Sequence, residues 1–333
     1  MKSIAMFNNK GGVGKTTLLT NLASILSSEF GLRVLLIDAD PQCNASQLMF
    51  NDEVTESLYE KSDTFTIYSV LHPLSLGKGY SDKIKPFSIE NFGFDILIGD
   101  PRLALKEDLL AKDWASAVSG EIRGLRTTFV FSELLSRCRD YDYVFFDMGP
   151  SLGSINRSCL LACDFFVSPM SIDIFSLRAI DNIKLSIQSW KKNLSIGINN
   201  VEDPGDLNDM IAKPMDIKFG GYVTQQYIAK TTGDGEKRAV KSYEKIMKRF
   251  EPSIRKNFVD VLQPNAPKLN YKLGSIPNLH SLVPMAQFAR KPIFELKAKD
   301  GVVGAHFAKV NESKKLFEEI AGNMINNLAD LND

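Results

Sequence analysis

The chain has no excess of charge of either sign. Among its 333 residues, 40 Lys and Arg balance 40 Asp and Glu, so the formal net charge at pH 7 is +0. Such a molecule has no overall field that would draw it to nucleic acid or to an anionic membrane. Any binding of that kind must come from a local patch.

Cysteine is also scarce. The four cysteines are Cys43, Cys138, Cys159 and Cys163, and no two of them form a CxxC pair. This usage lies far below the density of a secreted disulfide scaffold, and it favours a reducing compartment. We expect a cytoplasmic protein.

Long hydrophobic runs are missing as well. No segment approaches the roughly 20 consecutive apolar residues that a membrane-spanning helix needs. The first apolar run, at 1–7, is too short for a signal peptide and leads straight into a glycine-rich turn, so we expect no cleaved leader. The protein should be soluble or at most peripheral, without stable membrane insertion.

Short apolar runs without polar alternation recur along the chain, each followed by a stretch with helical periodicity. Such runs suit strands that are buried on both faces, and their alternation with helices is typical of a parallel sheet. The sequence therefore predicts an α/β fold: a doubly wound, mostly parallel sheet flanked by helices on both faces. The predicted strands cover 3–7, 33–37, 94–98, 143–146, 165–168, 222–224 and 273–276.

Two helices stand out. Leucine, alanine and isoleucine recur every three or four residues over 18–26, which predicts a helix with one buried face that Gly31 ends. The segment 305–331 also has a helical pattern, with an interruption expected near Gly322. Two polar regions, about 50–91 and about 200–270, are longer than a strand-to-helix connection requires. We interpret them as insertions in a single domain that spans 1–333.

The turn after the first strand reads KGGVGKTT at 10–17. A glycine-rich turn between a strand and a helix aims backbone N–H groups and the positive end of the helix dipole at one point, which suits phosphate. Lys15 should reach the β- and γ-phosphates, and Thr16 should bind magnesium. The strict pattern GxxxxGK[ST] fails, because its first glycine would fall at Asn9, and a second lysine, Lys10, lies inside the loop. The predicted ATP-binding residues of the loop are Lys10, Gly11, Gly12, Val13, Gly14, Lys15, Thr16 and Thr17.

KGGVGKTT resembles the signature of the ParA/MinD group of deviant Walker A P-loop ATPases. Later segments resemble further blocks of that family, so the resemblance covers most of the chain apart from the insertions. It is closest to ParA-type partition ATPases without an N-terminal DNA-binding domain. The matching segments are LLIDADPQCNAS (35–46), FDILIGDPRLALKEDLLA (94–111), YDYVFFDMGPSLG (141–153), DFFVSPMSIDIFSLRAIDNI (164–183) and IPNLHSLVPMAQFARKPIFEL (276–296).

The resemblance implies roles for the matching residues, with ATP/ADP and magnesium as ligands. Lys10 corresponds to the lysine that crosses to the phosphates of a partner subunit, which implies a homodimer formed on ATP binding. Asp40 corresponds to the residue that activates the attacking water, Asp38 lies toward the magnesium, and Asp147 corresponds to the Walker B acid. Lys10, Lys15 and Asp40 are then catalytic, and Thr16, Asp38 and Asp147 serve the metal.

Base contacts are less distinctive. Gln225 in the run 224–226, and Pro277 with Asn278, fall where relatives contact adenine, although these polar residues could equally just cap a strand. After Asp147 the chain reads Met148-Gly149-Pro150, where many relatives carry two prolines. The switch expected at this position therefore differs in composition.

The implied function is that of a slow ATPase, stimulated by a ParB-like or other partner protein, which binds DNA nonspecifically in its ATP state to segregate or position plasmid, chromosome or other cargo. It could then be nucleoid-associated. Between 230 and 256 there are nine Lys or Arg against four acids, a local surplus that could contact DNA phosphates. The same pattern also fits a solvated helix face with ordinary charge pairs, such as Glu244 with Lys248.

Four other classes share the phosphate loop. A MinD-like positioning cycle would need a basic amphipathic helix at the C-terminus. From Leu316 onward, however, there is no Lys or Arg, and the charged residues are the acids Glu318, Glu319, Asp330 and Asp333. A regulatory ATPase without DNA binding remains an alternative. An iron-sulfur carrier could use Cys159 and Cys163, although small apolar packing accounts for them better. Ligases and kinases of small metabolites are a minor option.

Overall fold

The structure is a computed structural model that describes residues 1–61, 63–81, 83–202, 205, 216–227, 229–231, 237–239 and 241–332. Side chains are described for these residues except 226–231, 237–239 and 241–244. The strands are β1 Lys2–Met6, β2 Val34–Asp38, β3 Phe87–Ile89, β4 Phe94–Leu97, β5 Tyr143–Asp147, β6 Phe165–Ser171, β7 Lys218–Tyr227, β8 Ala229–Thr231, β9 Lys237–Ala239 and β10 Lys272–Pro277.

The helices are α1 Lys15–Ser28, α2 Asn44–Met49, α3 Asp52–Glu60, α4 Ile67–Ser75, α5 Glu107–Ser119, α6 Ile122–Thr128, α7 Val130–Ser136, α8 Ser154–Ala162, α9 Ile174–Asn199, α10 Lys241–Ile254, α11 Asp260–Leu262, α12 Leu282–Ala289 and α13 His306–Asp330. A π-helical turn, Arg255–Val259, joins α10 to α11. Short 3-10 helices lie at Pro101–Lys106, Ile293–Glu295 and Ala298–Asp300.

Eight strands form one sheet in the order β10-β7-β6-β1-β5-β2-β4-β3. β3 runs antiparallel to β4, and the other neighbouring pairs are parallel. Side chains alternate between the two faces. Ala5 and Phe7 join the core on the side of α8 and α9, whereas Ile4 and Met6 join the core on the side of α1 and α13. This confirms the predicted doubly wound α/β fold.

All seven predicted strands are present, but three further strands were missed. β3 has only three residues and lies inside the predicted insertion at 50–91. β8 and β9 pair in a separate two-stranded sheet, and neither contains an apolar run. β7 is also longer than predicted, since it starts at Lys218 and the adjacent glycines Gly220 and Gly221 interrupt its apolar pattern.

The two predicted helices are present, with corrected ends. α1 stops at Ser28, and Gly31 follows with a positive φ of 64° in the turn toward β2. α13 continues through Gly322, so the interruption expected there is wrong. Phe317, Ile320 and Met324 pack on the sheet on both sides of that glycine, and this packing holds the helix straight through it.

The predicted insertion at 50–91 forms α3, α4 and β3 and is tied to the residues that follow β4. The Tyr59 hydroxyl donates to the Gly99 carbonyl over 2.6 Å, and the Thr66 hydroxyl donates to Asp100 over 2.7 Å. Part of the second predicted insertion, 200–270, lies outside the described residues. None of the described helices combines the length and apolar content that crossing a bilayer requires.

Candidate functional site

The carboxyl ends of three neighbouring strands bring the predicted site together. Asp147, at the end of β5, pairs in register with Met6 of β1 on one side and with Asp38 of β2 on the other. Because the strands are parallel, the phosphate loop after β1 and the acids after β2 and β5 meet at one edge of the sheet, where open α/β sheets bind ligands. The fold thus places all three predicted motifs together.

The loop opens directly into α1. Gly14 is the residue before the helix, has a φ of 74° and supplies no side-chain cap. The first amide groups of α1 are therefore left for another acceptor, with the positive end of the helix dipole behind them. They face a cavity of about 580 Å³, within the usual range for small-molecule sites. The cavity is lined by Gly11, Gly12, Val13, Gly14, Lys15, Thr16, Thr17, Asp40, Gln42, Asn44, Gln47, Leu48, Pro150 and Gln287.

Lys15 is the buried cation of this cavity. Only 8% of the residue is exposed, and its Nζ donates to the Lys10 carbonyl over 3.3 Å. Burial lowers the pKa of Lys15, while the nearby carboxylates of Asp147 and Asp40 oppose that shift. A cation in this position can bind anionic phosphate without first losing a full shell of water.

Thr16 and Asp147 form a direct pair. The Thr16 hydroxyl donates to Asp147 Oδ2 over 2.8 Å, and the buried Asp147 Oδ1 has no hydrogen-bond partner among the residues that the structure describes. A hydroxyl beside an unpaired carboxylate oxygen fits a hard cation such as magnesium. Among the described residues, no group of three or more His, Cys, Asp or Glu could hold a metal alone. Further ligands would have to be water or substrate phosphate.

Asp147 stabilises the folded chain better when it is neutral. Burial, with the negative charges of Asp38 and Asp40, raises the pKa of Asp147. The folded protein therefore binds more protons than the unfolded chain, and stability falls as pH rises above the ordinary aspartate pKa of 3.8. We expect Asp147→Asn to stabilise the nucleotide-free protein at about pH 8 by about 1 to 3 kcal/mol, with a smaller gain near pH 5. Urea unfolding at the two pH values measures this difference.

Asp142, which precedes the same strand, offers the matched control. Its carboxylate accepts from the Arg33 amide over 2.8 Å, and this bond leads the contacts that lower its pKa. Asp142→Asn should therefore leave stability unchanged or reduce it. An Asp147→Asn protein less stable than wild type at the higher pH would contradict the electrostatic account of Asp147.

The structure gives Asp38 a different set of partners. Its Oδ2 accepts from the Ser46 amide over 2.8 Å and from the Ser46 hydroxyl over 2.7 Å, and its Oδ1 accepts from the Asp40 amide over 3.4 Å. The Ser46 hydroxyl also accepts from the Gly99 amide. Asp38 therefore ties the end of β2 to α2 and to the residues after β4. A contact between Asp38 and magnesium stays a prediction.

Asp40 faces the cavity. It is nearly buried, and its Oδ1 accepts from the Gln42 amide over 3.0 Å. Gly149, which follows β5, approaches so closely that an added Cβ would lie 3.2 Å from Asp40 Oδ1. The segment 148–150, predicted to act as a switch, is thus in contact with the predicted water-activating acid.

The residues predicted to contact the base lie at separate places in the structure. Gln225 is buried beneath the phosphate loop, where its Nε2 donates to the Gly14 carbonyl over 3.3 Å. Pro277 ends β10, and the Asn278 side chain accepts from the His280 amide over 2.8 Å. Neither residue belongs to the described lining of the cavity. Gln42, Gln47 and Gln287 do line the cavity, although the sequence analysis did not select them.

Two loop glycines differ in what a side chain would meet. Gly12 and Gly14 both have positive φ, 71° and 74°. A Cβ on Gly12 has open space, whereas a Cβ on Gly14 would overlap Gln225 Oε1. Gly12→Ala should cost about 1 to 2 kcal/mol of unfolding free energy from backbone strain alone, and Gly14→Ala should cost more. Chemical denaturation should also show that Gln225→Ala recovers part of the Gly14→Ala loss; equal losses for both glycines would contradict the contact.

Comparison with known proteins places these features in context. A family model described as an AAA domain matches residues 1–200. The chain is 31% identical over 195 residues to the sporulation initiation inhibitor protein Soj of Bacillus subtilis, covering 58% of this chain and 68% of Soj. It is 29% identical over 195 residues to the chromosome partitioning protein ParA of Myxococcus xanthus, covering 58% of this chain and 60% of that protein.

Solved structures share the fold. A protein from Corynebacterium diphtheriae, 28% identical, superposes with a TM-score of 0.74, covering 98% of this chain and 99% of that one. McdA from Cyanothece, in an ATP complex, superposes with a TM-score of 0.63, covering 97% of this chain and 96% of that one. Its identity to this chain is 16%, so the likeness to McdA concerns the fold alone.

Proposed function

Because the chain belongs to the ParA/MinD family of P-loop ATPases, we propose that it binds ATP with magnesium at the loop 10–17 and hydrolyses it to ADP and phosphate. One observation carries the proposal: a single cavity joins the uncapped start of α1, the buried cation of Lys15 and the Thr16–Asp147 pair. Phosphoryl transfer needs little else than positioning and positive charge where negative charge develops.

Each residue has a distinct task in this proposal. The α1 amides and Lys15 hold the phosphates, and Asp40 orients the attacking water and accepts its proton. Thr16 and Asp147, whose Oδ1 has no partner in the described part of the chain, would hold magnesium. When bound, magnesium would neutralise charge on the phosphates.

The proposed cycle includes a second subunit. Lys10 lies outside the described lining of the cavity, and its ammonium group contacts Asp173. In a dimer formed on ATP binding, the Lys10 of each subunit would contact the phosphates of the other. Turnover would then be slow in monomers and would rise when a partner protein completes the site.

We propose that the ATP state binds DNA without sequence preference, in order to segregate or position plasmid or chromosomal DNA or another cargo. The relative from Myxococcus xanthus, ParA, is a chromosome partitioning protein. A basic face lies on α10 and the π-helical turn, where five exposed cations surround one exposed acid, Glu251. The cations are Lys245, Lys248, Arg249, Arg255 and Lys256. The side chains of Lys230, Lys237, Arg238, Lys241 and Glu244, also part of the predicted basic stretch, lie outside the described residues.

The basic face gives a salt-dependent prediction. Each phosphate contact contributes about 0.9 to the slope of log affinity against log salt concentration. Lys248→Ala with Arg255→Ala should therefore reduce the slope by about 2 and weaken binding to any DNA sequence alike. Lys309→Ala with Lys315→Ala, two exposed lysines of α13, is the matched control. Fluorescence anisotropy over a salt series measures both, and an unchanged slope in the α10 variant would rule out this face.

Membrane positioning has less support. α13 buries Phe317, Ile320, Met324 and Leu328 against the sheet, so its apolar side is already used within the described structure. Cys159, in α8, and Cys163, which follows that helix, are both buried in the core, which supports packing over a metal role. Liposome flotation with ATP would detect binding to a membrane. Flotation of the protein would count against DNA as the surface that the ATP state binds.

ATP hydrolysis rates with and without nonspecific DNA test the proposed function. We expect slow hydrolysis alone and faster hydrolysis when DNA and the partner protein are both present. Hydrolysis that DNA never changes, together with no DNA binding, would favour a regulatory ATPase that acts on a partner complex instead.

A further inference from the structure

Lys10 has a specific carboxylate partner within its own subunit. Its Nζ contacts Asp173 Oδ2, although the two residues lie 163 positions apart. Asp173 stands between β6 and α9, next to the first residue of that helix. The lysine of the phosphate loop is thus held against α9.

The backbone around this pair is fixed by buried contacts. The Asn8 side chain accepts from the Lys10 amide over 2.9 Å and donates to the Pro169 carbonyl of β6 over 2.8 Å. Asn8 therefore ties the start of the loop to the strand that leads to Asp173. Lys10 follows β1 and Asp173 follows β6, and these two strands are parallel neighbours. The two side chains therefore start from the same edge of the sheet and can pair.

The two oxygens of Asp173 have separate tasks. Oδ1 accepts from the Phe175 and Ser176 amides over 2.9 and 3.0 Å and so caps α9. Oδ2 contacts Lys10. Helix capping alone is met by Asn or Ser equally well, since either offers a side-chain oxygen. The amide cap does not need the second carboxylate oxygen, whose shorter contact is to Lys10 and whose longer one is to the Ser176 hydroxyl.

We propose that Asp173 is a positioning residue for Lys10: its carboxylate holds the lysine on its own subunit until a phosphate-filled second subunit takes over the ammonium group. This inference rests on the proposed ATP-dependent dimer. The ion pair opposes dimer formation in the absence of ATP and sets how readily Lys10 exchanges partners.

The exposure of the pair suits exchange. The side chains of Lys10 and Asp173 are 33% and 31% exposed, so the ion pair is partly solvated and weak. Partial burial alone would raise the pKa of Asp173, but the hydrogen bonds from Lys10 and the α9 amides lower it below its ordinary value. A polyphosphate carries more negative charge than one carboxylate and can therefore displace it.

The adjacent surface fits a second copy of this chain. Ile174 and Phe175, which follow Asp173 directly, are 42% and 72% exposed. Apolar side chains so exposed beside an ion pair are typical of a surface that a partner covers. The subunit that accepts Lys10 would cover this face of α9.

Asp173→Asn tests the inference with little structural change. Asn keeps an oxygen for the α9 amides and replaces the oxygen that contacts Lys10 with an uncharged NH2 group, at the cost of the 3.4 Å bond from the Ser176 hydroxyl. The first measurement is the rate of acylation of the Lys10 amine without nucleotide, followed by mass spectrometry. The second is the dimer Kd with ATP and magnesium, from analytical ultracentrifugation. We expect faster acylation of Lys10 and, because two ion pairs open for each dimer, a dimer Kd lower by roughly 4- to 25-fold.

The Lys10→Ala background separates this role from a structural one. In that background, which keeps ATP binding by the monomer, Asp173→Asn should leave the ATP affinity and the free energy of unfolding unchanged, whereas a merely structural effect would alter them. Asp173→Ser, which also keeps a capping oxygen, should reproduce the Asn result. Unchanged acylation of Lys10, or an unchanged or higher dimer Kd in a stably folded Asp173→Asn protein, would overturn the inference.

Failure of the proposed dimer is distinguishable. Asp173→Asn could accelerate Lys10 acylation while neither protein dimerises with ATP. That result would overturn the exchange of Lys10 between subunits, because the ATP-dependent dimer of the proposed function would not exist. If wild type dimerises with ATP and Asp173→Asn does not improve on it, the dimer stands and only the role of Asp173 fails.

Discussion

Lys15→Ala is expected to abolish ATP binding at practical concentrations. Lys15 is buried at the cavity, where its charge meets little competition from water. Removing one member of a buried charge pair costs about 2 to 5 kcal/mol, or roughly 30- to 5,000-fold in affinity. Isothermal titration with ATP and magnesium measures the loss directly.

Lys10→Ala is the matched control for this result. Both lysines belong to the same eight-residue loop, but Lys10 contacts Asp173 and lies outside the described lining of the cavity. Lys10→Ala should therefore keep ATP binding by the monomer and lose the ATP-dependent dimer. If Lys15→Ala binds ATP as well as wild type, Lys15 does not hold the phosphates.

Asp40→Ala is expected to leave ATP bound while hydrolysis falls by about 10²- to 10⁴-fold, the usual contribution of a positioned acid or base. Asp40 lines the cavity and is close to Gly149, and in the described part of the chain its side chain accepts a hydrogen bond from the Gln42 amide. Removing its negative charge also relieves repulsion toward the phosphates, so ATP affinity should be equal or higher.

The dimer gives the second readout for Asp40→Ala. Without hydrolysis, the ATP dimer should be long-lived and elute as a dimer in gel filtration. Asp52→Ala, an exposed acid in the first turn of α3, should behave as wild type. An Asp40→Ala protein that stays monomeric with ATP would count against the dimer formed on ATP binding. An Asp40→Ala protein that hydrolyses ATP at the wild-type rate would show that Asp40 takes no part in the mechanism.

The sequence predicted the sheet and the edge at which the site lies, because both depend on local patterns. Apolar runs without alternation mark β1, β2 and β5, and the loop and acids follow directly in the chain. Parallel pairing of these strands then brings Asp38 and Asp147 together with the loop. Short polar strands such as β8 and β9 carry no such pattern and were missed.

Contacts between distant side chains could not be predicted from local patterns. The bond from Gln225 to the Gly14 carbonyl joins residues 211 positions apart, and it places Gln225 beneath the loop, although the sequence suggested a base contact. The ion pair of Lys10 with Asp173 is equally remote in sequence. Asp38 shows a nearer case, since its bonds to Ser46 depend on how the chain turns into α2.

The cavity also depends on three-dimensional packing. Gln287 reaches the cavity from α12, and Gln47 reaches it from α2. Neither residue belongs to the phosphate loop or to the acid motifs. Their position suggests that amide side chains contact the nucleoside end of the ligand, where the sequence pointed to Pro277 and Asn278.

Calorimetric titration of the wild-type protein with ATP and magnesium tests the central claim most directly. If the amides of α1, the Lys15 ammonium group and the Thr16–Asp147 pair hold a nucleotide, the titration will show saturable heat that weakens when magnesium is withheld. A folded, pure protein that gives no heat with ATP and magnesium would contradict the account.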